Sequence, residues 1–254
     1  MGSWADPAPA LHRRAQPWLG TLVEISLHHP DAGAASGVAD AAFSRIAALQ
    51  AMLSRFEPGS CIARFNALPA GSSLPLPADA QHVLAAAAYL RRQSEGRFDI
   101  SQGSGCHDWQ LSSGRLLKLT DTVQLDLGGI AKGYAVDRAL AVLRRLGASW
   151  AVVNAGGDLR VFGEQALPLR LRDERHGGLL ELGQLADGAF ASSHYGPGSR
   201  SRLQGEPVAR DQQVAVIAPS ALWADALCKL AALGLGGESA LFSRLKAQCL
   251  SWRD

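Results

Sequence analysis

The chain has 254 residues, of which 47% are hydrophobic and 19% charged, and its formal net charge is +2 at pH 7. This composition excludes a disordered protein, and the length is sufficient to bury a sizeable core. The small net charge and the lack of any lysine or arginine run argue against nucleic acid as a partner. No apolar run reaches the length of a transmembrane helix, so no such segment is expected.

The first sixteen residues carry prolines, alanines and charges without a period, which predicts a flexible tail over residues 1–16. Residues 17–254 are predicted to form one domain of two intertwined lobes. The N-terminal residues lack the apolar stretch of a signal peptide and a lipid-attachment cysteine, which predicts a protein that stays in the cytoplasm. A second interpretation treats Met1-Gly2-Ser3 as the remnant of a replaced leader, and the natural protein is then periplasmic.

The predicted elements mix helices with strand pairs. In chain order they are a strand at 20–27, helices at 38–56 and 79–95, a buried strand at 123–127, a helix from 130 that ends at Gly147, hairpins at 150–162 and 167–185, a strand at 213–218 and a helix that ends near 233. Because hairpins and helices do not alternate strictly, an α+β fold is favoured over a doubly wound parallel sheet.

The strongest chemical signal is the run LDLGGIAKGYAVD at residues 125–137. It brings an acid, Asp126, and two glycines, Gly128 and Gly129, to the start of a helix whose first turn carries Lys132. Glycine backbone lets a ligand approach closely, and the free amides of a helix start favour anionic oxygens. A plain strand-to-helix corner explains the same residues, so both interpretations stay open at this point. The spacing is not that of a Walker motif.

This run resembles the signature LDxGGIAKGYAxD of the ApbE family. Five further segments resemble that family's motifs in the same order: Leu19-Gly20-Thr21, Ser54-Arg55-Phe56 with Arg64-Phe65-Asn66, Gly96-Arg97-Phe98-Asp99-Ile100-Ser101, the NAGGD of residues 154–158, and Ala224-Asp225-Ala226-Leu227. The resemblance spans residues 16 to 235. It implies a two-lobed ApbE-type (T-fold-like) domain with mixed and antiparallel sheets and flanking helices.

The resemblance also implies an activity, that of an FAD:protein FMN transferase. Such an enzyme binds FAD and Mg²⁺, attaches FMN to a threonine or serine of an acceptor protein, and releases AMP. The implied metal ligands are the Gly129 carbonyl and the Asp225 carboxylate, and the implied catalytic residues are Asp225 and Lys229. The implied cofactor-binding residues are Leu19, Phe56, Arg97, Phe98, Asp99, Asp126, Gly128 and Lys132.

The chain departs from the family pattern at Lys229, which replaces a threonine four residues after Asp225. A protonated ammonium cannot ligate Mg²⁺ and repels it. One interpretation is an Asp225–Lys229 ion pair on a helix whose metal site has been lost. The other is that the Lys229 ammonium occupies the metal's place and meets the FAD phosphates.

A second departure is the absence of the family's H-I-x-D-P-x-T-G segment between Ala191 and Gln213. His194 is a candidate substitute base, and a solvated loop histidine is the alternative. The two departures keep two other functions open. One is an FAD-binding protein without transferase activity, and the other is an FAD pyrophosphatase that gives FMN and AMP.

Overall fold

The computed structural model describes residues 10–173, 177–196, 202–203, 206–207 and 211–253. The elements in these ranges are β1 (Leu11–Trp18), β2 (Thr21–His28), α1 (Ala35–Leu53), α2 (Cys61–Asn66), β3 (Ser73–Pro75), α3 (Ala78–Gln93), β4 (Trp109–Ser112), β5 (Arg115–Lys118), α4 (Ala131–Arg145), β6 (Trp150–Ala155), β7 (Asp158–Phe162), β8 (Leu167–Arg172), β9 (Leu179–Leu185), β10 (Gly188–Tyr195), β11 (Arg202–Leu203), β12 (Glu206–Pro207), β13 (Gln212–Ala218), α5 (Ala221–Ala232), α6 (Ala240–Arg244) and β14 (Gln248–Arg253).

A seven-stranded sheet forms the centre of the fold, in the order β1-β2-β6-β7-β10-β13-β14. Each pair of neighbours in it is antiparallel. Three smaller sheets accompany it: β3-β5-β4, the hairpin β8-β9, and the short pair β11-β12. Helices flank the main sheet, so the predicted α+β class with antiparallel sheets is confirmed. None of the helices in the described ranges is both long and apolar enough to cross a membrane.

The two faces of the main sheet are covered differently. One face packs on α4 and α5 and shares a large apolar core with α1 and α3. The other face carries a smaller core in which Val161 and Phe190 meet Leu169 and Leu171 of the hairpin β8-β9. Successive side chains of a strand point to opposite faces, so a sheet covered on both sides requires apolar residues in both phases. Strand β6 meets this requirement, with Val153 in the large core and Val152 in the small one.

The predicted N-terminal tail is wrong for residues 11–16, which belong to β1. This strand pairs in register with β2, from Leu11 opposite His28 to Trp18 opposite Thr21. It is an edge strand, where Pro17 is tolerated because one side of the strand needs no ladder partner. Residues 1–9 of the predicted tail lie outside the described residues.

The predicted strand at 123–127 is also wrong, although its burial pattern is that of a strand. Val123, Leu125 and Leu127 are buried. The backbone around Leu125 pairs with a side chain, because Asn66 Oδ1 accepts from the Leu125 amide (2.7 Å) and Asn66 Nδ2 donates to the Leu125 carbonyl (3.0 Å). The alternating burial correctly indicated an extended segment. It could not show that this segment pairs with the Asn66 side chain rather than with another strand.

The remaining predicted elements are found within a few residues of their expected bounds, and the hairpin β8-β9 has the predicted strand limits. Several elements were not predicted: β10, β14, α6 and the small sheet β3-β5-β4. That residues 17–254 form one domain of two intertwined lobes stays a prediction.

Candidate functional site

A cavity of about 320 Å³ opens between the β1–β2 turn, the end of α1 and the start of α4. It brings together five residues that the sequence assigned to cofactor binding from three separate segments. They are Leu19, Phe56, Asp126, Gly128 and Lys132. The other lining residues are Gly20, Gln50, Leu53, Ser54, Arg55, Glu57, Leu127 and Ala131. Its volume is in the range of small-molecule sites.

The β1–β2 turn holds Leu19 at the cavity in a strained conformation. Leu19 and Gly20 have φ angles of 57° and 73°, as in the two-residue turns that match the twist of a hairpin. This left-handed region is unfavourable for leucine. The Leu19 amide donates to Oε1 of Gln50 (2.7 Å), which ties the turn to α1. The apolar Leu19 side chain is thereby fixed at the cavity wall.

The segment after α1 supplies an aromatic ring and an ion pair to the cavity mouth. Phe56 is 79% exposed, an unusual position for a large apolar side chain in a folded chain. The Arg55 guanidinium lies 4.5 Å from the centre of the Phe56 ring, and its Nε lies 3.1 Å from Oδ2 of Asp126. Oδ1 of Asp126 accepts from the Gly128 amide (2.8 Å), so this carboxylate also organises the turn before α4. The mouth therefore offers a face on which a planar ring can stack.

Lys132 lies in the first turn of α4 and forms an ion pair with Asp158. Asp158 begins β7 and is only 2% exposed. The hairpin turn before it packs tightly on the β1–β2 turn, because a Cβ atom at Gly156 would overlap the Thr21 side chain. Asp158 ends the glycine-rich NAGGD motif of residues 154–158, but no role was predicted for it from the sequence. A buried acid directly after two glycines was the available signal.

Asp225 and Lys229 of α5 meet the start of α4 at a corner that also contains Gly129 and Gly133. Asp225 is 6% exposed, and its Oδ2 accepts from the Gly133 amide (3.1 Å). The Lys229 side chain lies against Gly129, where an added Cβ would overlap it and would lie 3.1 Å from its Nζ. The ion pairs of the described residues do not include Asp225 with Lys229, so the structure does not support that interpretation.

Asp137, the last residue of the signature run, fixes how α5 meets α4. Its two carboxylate oxygens accept from the amides of Ala221 (2.8 Å) and Leu222 (2.9 Å), the first residues of α5. Arg160 donates to the same carboxylate at 2.7 Å. Free amides at a helix start favour an acceptor of this kind. Asp137 therefore sets the position of Asp225 and Lys229 one and two turns further along α5.

Three residues of the expected cofactor set do not line the cavity, and their expected role stays a prediction. Phe98 is 3% exposed and belongs to the large core. The Asp99 carboxylate organises its own loop, because it accepts from the Ser101 amide (2.8 Å) and the Ser101 hydroxyl. Arg97 is exposed on the surface. Apolar burial and local turn bonds explain why these residues are held where they are.

His194 lies on the opposite face of the sheet from Asp225 and Lys229. Its neighbour Tyr195 and the Ala191 carbonyl face α5, where Cys228 Sγ donates to that carbonyl. Alternation along β10 turns His194 the other way. Its Nε2 lies 2.6 Å from Oδ1 of Asp211. The structure does not bring this candidate base to the corner formed by α4 and α5.

Fold and site together define an α+β protein with a cavity that combines an exposed aromatic ring, a glycine turn at a helix start and a lysine ammonium. The family model of the ApbE family matches residues 19–120 and 102–249, and the chain belongs to this family.

Individual relatives agree with this assignment. The chain is 31% identical over 178 residues to an FAD:protein FMN transferase of Rhodobacter capsulatus, an alignment that covers 57% of this chain and 34% of that protein. The chain thus spans about a third of that relative. Its fold resembles the apo flavinyl transferase ApbE of Pseudomonas stutzeri, with a TM-score of 0.80, 24% identity, and coverage of 97% and 94% of the two chains. The flavin transferase ApbE of Vibrio cholerae gives a TM-score of 0.80 at 19% identity and covers 96% and 94%.

The magnesium ion that the family resemblance implies does not fit the residues present. Mg²⁺ takes oxygen ligands in near-octahedral geometry. At this corner the Asp225 carboxylate already accepts from the Gly133 amide, the Asp158 carboxylate is paired with Lys132, and the side chain against Gly129 ends in an ammonium. Within the described ranges, no group of three or more histidine, cysteine or acidic side chains could hold a metal. The expected metal roles of Gly129 and Asp225 therefore stay untested predictions that Lys229 weakens.

Proposed function

We propose that this chain is an FAD:protein FMN transferase, which moves FMN from FAD to a threonine or serine hydroxyl of an acceptor protein. The observation that carries the proposal is the cavity, which gathers Leu19, Phe56, Asp126, Gly128 and Lys132 around the start of α4. Membership of the ApbE family and the likeness to the R. capsulatus transferase support the same activity.

The cavity has separate parts for the two chemical halves of such a substrate. The exposed Phe56 ring and the Leu19 side chain provide apolar contact for a planar ring system. The Lys132 ammonium, beside the Gly128–Gly129 turn, favours phosphate oxygens. Lys132 is held by Asp158, which limits its rotamers and orients its ammonium before a ligand arrives.

The proposed reaction breaks the phosphoanhydride bond of FAD and forms a phosphoester bond to the acceptor. The acceptor hydroxyl oxygen attacks the phosphorus that carries riboflavin, and the bond from that phosphorus to the bridging oxygen of the pyrophosphate breaks. AMP leaves with the bridging oxygen, while FMN stays bonded to the acceptor oxygen and the hydroxyl proton is lost to a base or to solvent. Positive groups near the pyrophosphate stabilise the charge that develops in this step.

The experiment follows both products of FAD. The purified chain is incubated with FAD and a flavin-acceptor protein, AMP is measured by chromatography, and covalent flavin on the acceptor is measured by in-gel fluorescence and mass spectrometry. The controls are an acceptor whose threonine or serine is changed to alanine, and the variant Lys132→Met. Flavin on the acceptor together with AMP supports the transferase. Free FMN with AMP identifies a pyrophosphatase instead.

A second candidate is a flavin-binding protein without transfer activity. The observation that favours it is Lys229 at the corner where the family has a threonine, together with the absent H-x-x-D-P element. In that case the purified chain binds FAD, and the solution is yellow, but neither AMP nor labelled acceptor is formed.

A further inference from the structure

The corner between α4 and α5 contains an ammonium, that of Lys229, with no partner among the residues that the structure describes. Lys229 is half-buried, and its aliphatic part packs on the Gly129 backbone. Among the described residues, no hydrogen bond or ion pair reaches its Nζ. A partly desolvated charge without a partner is unfavourable, so an anion at this position gains an interaction that the free protein leaves unmade.

The other charged groups at the corner already have partners in the protein. Lys132 is paired with the buried carboxylate of Asp158, and the Asp225 carboxylate accepts from the Gly133 amide. The four charged groups at the corner are Lys132, Lys229, Asp158 and Asp225, and their charges sum to zero. A divalent cation would add two positive charges next to the Lys229 ammonium. If Lys229 were uncharged, the same corner would carry one net negative charge and would favour a cation.

The corner and the cavity share one turn of backbone. Gly128 lines the cavity, Gly129 contacts Lys229, and Lys132 reaches the cavity from the first turn of the same helix. Lys132 lines the cavity and Lys229 contacts the next glycine of the turn, so a pyrophosphate bound at the start of α4 would face ammonium groups from two helices. Each is a point charge that can meet a phosphate oxygen.

We infer that Lys229 replaces the divalent cation in this chain, so that the pyrophosphate of FAD is bound without metal. The inference rests on the proposed function for the identity of the ligand. It concerns only how the ligand's charge is neutralised.

The first test uses metal alone, which needs no flavin. Mn²⁺ is titrated into the wild type and Lys229→Thr, and free Mn²⁺ is followed by electron paramagnetic resonance. We expect no Mn²⁺ binding by the wild type at millimolar concentration and a new single site in Lys229→Thr, because the variant removes the repelling charge beside Asp225. A stoichiometric Mn²⁺ site in the wild type overturns the inference.

The second test measures FAD and inorganic pyrophosphate by calorimetry, in EDTA and in MgCl₂. For the wild type we expect affinities that agree within about twofold in the two buffers. Lys229→Met, which keeps the length and loses the charge, is expected to weaken both ligands about tenfold or more. Lys246→Met, which removes an equal charge from an exposed position after α6, is the control and is expected to change nothing.

The outcomes separate this inference from the proposed function. If FAD binds in EDTA and Lys229→Met weakens this binding, but no labelled acceptor is formed, the proposed transferase activity is contradicted and the inference is supported. If FAD does not bind, the titrations with inorganic pyrophosphate decide. Equal pyrophosphate affinity of the wild type and Lys229→Met overturns the inference, and weaker binding by the variant supports it. Wild-type binding that requires Mg²⁺ overturns it in every case. Circular dichroism of each variant excludes unfolding as the cause.

Discussion

Lys132 and Asp158 form an ion pair that links the first turn of α4 to the β6–β7 hairpin. The Asp158 side chain is 3% exposed and the Lys132 side chain 26%, so the pair is buried at the carboxylate and reaches the cavity at the ammonium. The ammonium that reaches the cavity is thus held by an acid on the opposite element. Removing Asp158 takes away the buried member of the pair, whereas the Lys132 ammonium that remains can be solvated through the cavity.

Asp158→Asn is therefore expected to lower the free energy of unfolding by about 2 kcal/mol, the value of a hydrogen bond between charged groups. Urea denaturation followed by circular dichroism measures the loss. The control is Asp187→Asn, which removes the same charge from an exposed turn residue with a φ of 44° that asparagine accommodates. A loss for Asp158→Asn no larger than that of the control contradicts the structural role of the pair.

The crossing of α4 and α5 depends on the absence of a side chain at Gly133. A Cβ atom there would overlap the Ala221 carbonyl and lie 2.9 Å from Cβ of Asp225. Gly133→Ala is expected to destabilise the protein by about 2 kcal/mol, because overpacking against backbone outweighs the better helix propensity of alanine. Thermal and urea unfolding measure the change.

Gly37→Ala is the matched control for that substitution. Gly37 lies in α1, and a Cβ atom there meets nothing within 4 Å. The same change is expected to stabilise the protein by about 0.5–1 kcal/mol. Equal effects at the two glycines would show that the α4–α5 contact is not as tight as described.

The third prediction on stability concerns pH and the Asp79 carboxylate. Burial by itself raises the pKa of Asp79, but hydrogen bonds from Tyr134 and Arg45, with the charges of Arg45 and Arg138, lower that pKa below its ordinary value of 3.8. Burial and the bond to Asp79 raise the pKa of Tyr134 to about 12. A carboxyl with a lowered pKa stabilises the fold above its unfolded pKa and loses this contribution as the pH falls through its folded pKa.

Tyr134→Phe is accordingly expected to cost about 1–2 kcal/mol at pH 7, the value of a hydrogen bond to a charged group. The difference from the wild type should narrow as the pH falls below 3.8, where Asp79 becomes neutral. Urea unfolding at a series of pH values measures it. Tyr89→Phe, at a half-buried tyrosine, is the control and should show no such pH dependence. A constant difference at all pH values would assign the effect to packing.

The sequence patterns predicted where helices and strands lie better than they predicted which of them pair with one another. The hairpin β8-β9 was predicted with its strand limits, because a glycine-rich turn separates two apolar alternating runs. Strand β1 was not predicted, because Pro17 and the neighbouring Arg13 and Arg14 are typical of a flexible tail. An edge strand tolerates these three residues. The strands of the small sheet have three or four residues each, too few for a period to show.

The candidate site was predictable as far as its motifs reach. Five cofactor residues meet at one cavity, but Phe98, quoted from an equally clear motif, is in the core. The ion pair of Lys132 with Asp158 could not be predicted, because the 25 residues between them fold back only through the pairing of β6 and β7. The packing of Lys229 on Gly129 likewise depends on how α5 crosses α4.

The last prediction separates the two roles that Asp126 combines. Its Oδ1 accepts from the Gly128 amide at 2.8 Å, and its Oδ2 lies 3.1 Å from Nε of Arg55. Asp126→Asn keeps an oxygen acceptor for the turn and loses the charge, whereas Asp126→Ala loses both. We expect a stability change within about 0.5 kcal/mol for the asparagine variant, because the ion pair with Arg55 is exposed to solvent. The alanine variant is expected to lose about 1 kcal/mol.

FAD binding by the same two variants tests the site itself. If the Asp126 carboxylate contacts the ligand, both variants lose about tenfold in affinity although only the alanine variant loses stability. Fluorescence quenching of FAD on titration with protein measures this affinity, and thermal unfolding of the same samples measures stability. Unchanged affinity in Asp126→Asn would restrict Asp126 to forming the turn. The ligand's contacts would then come from Lys132 and the backbone at the start of α4.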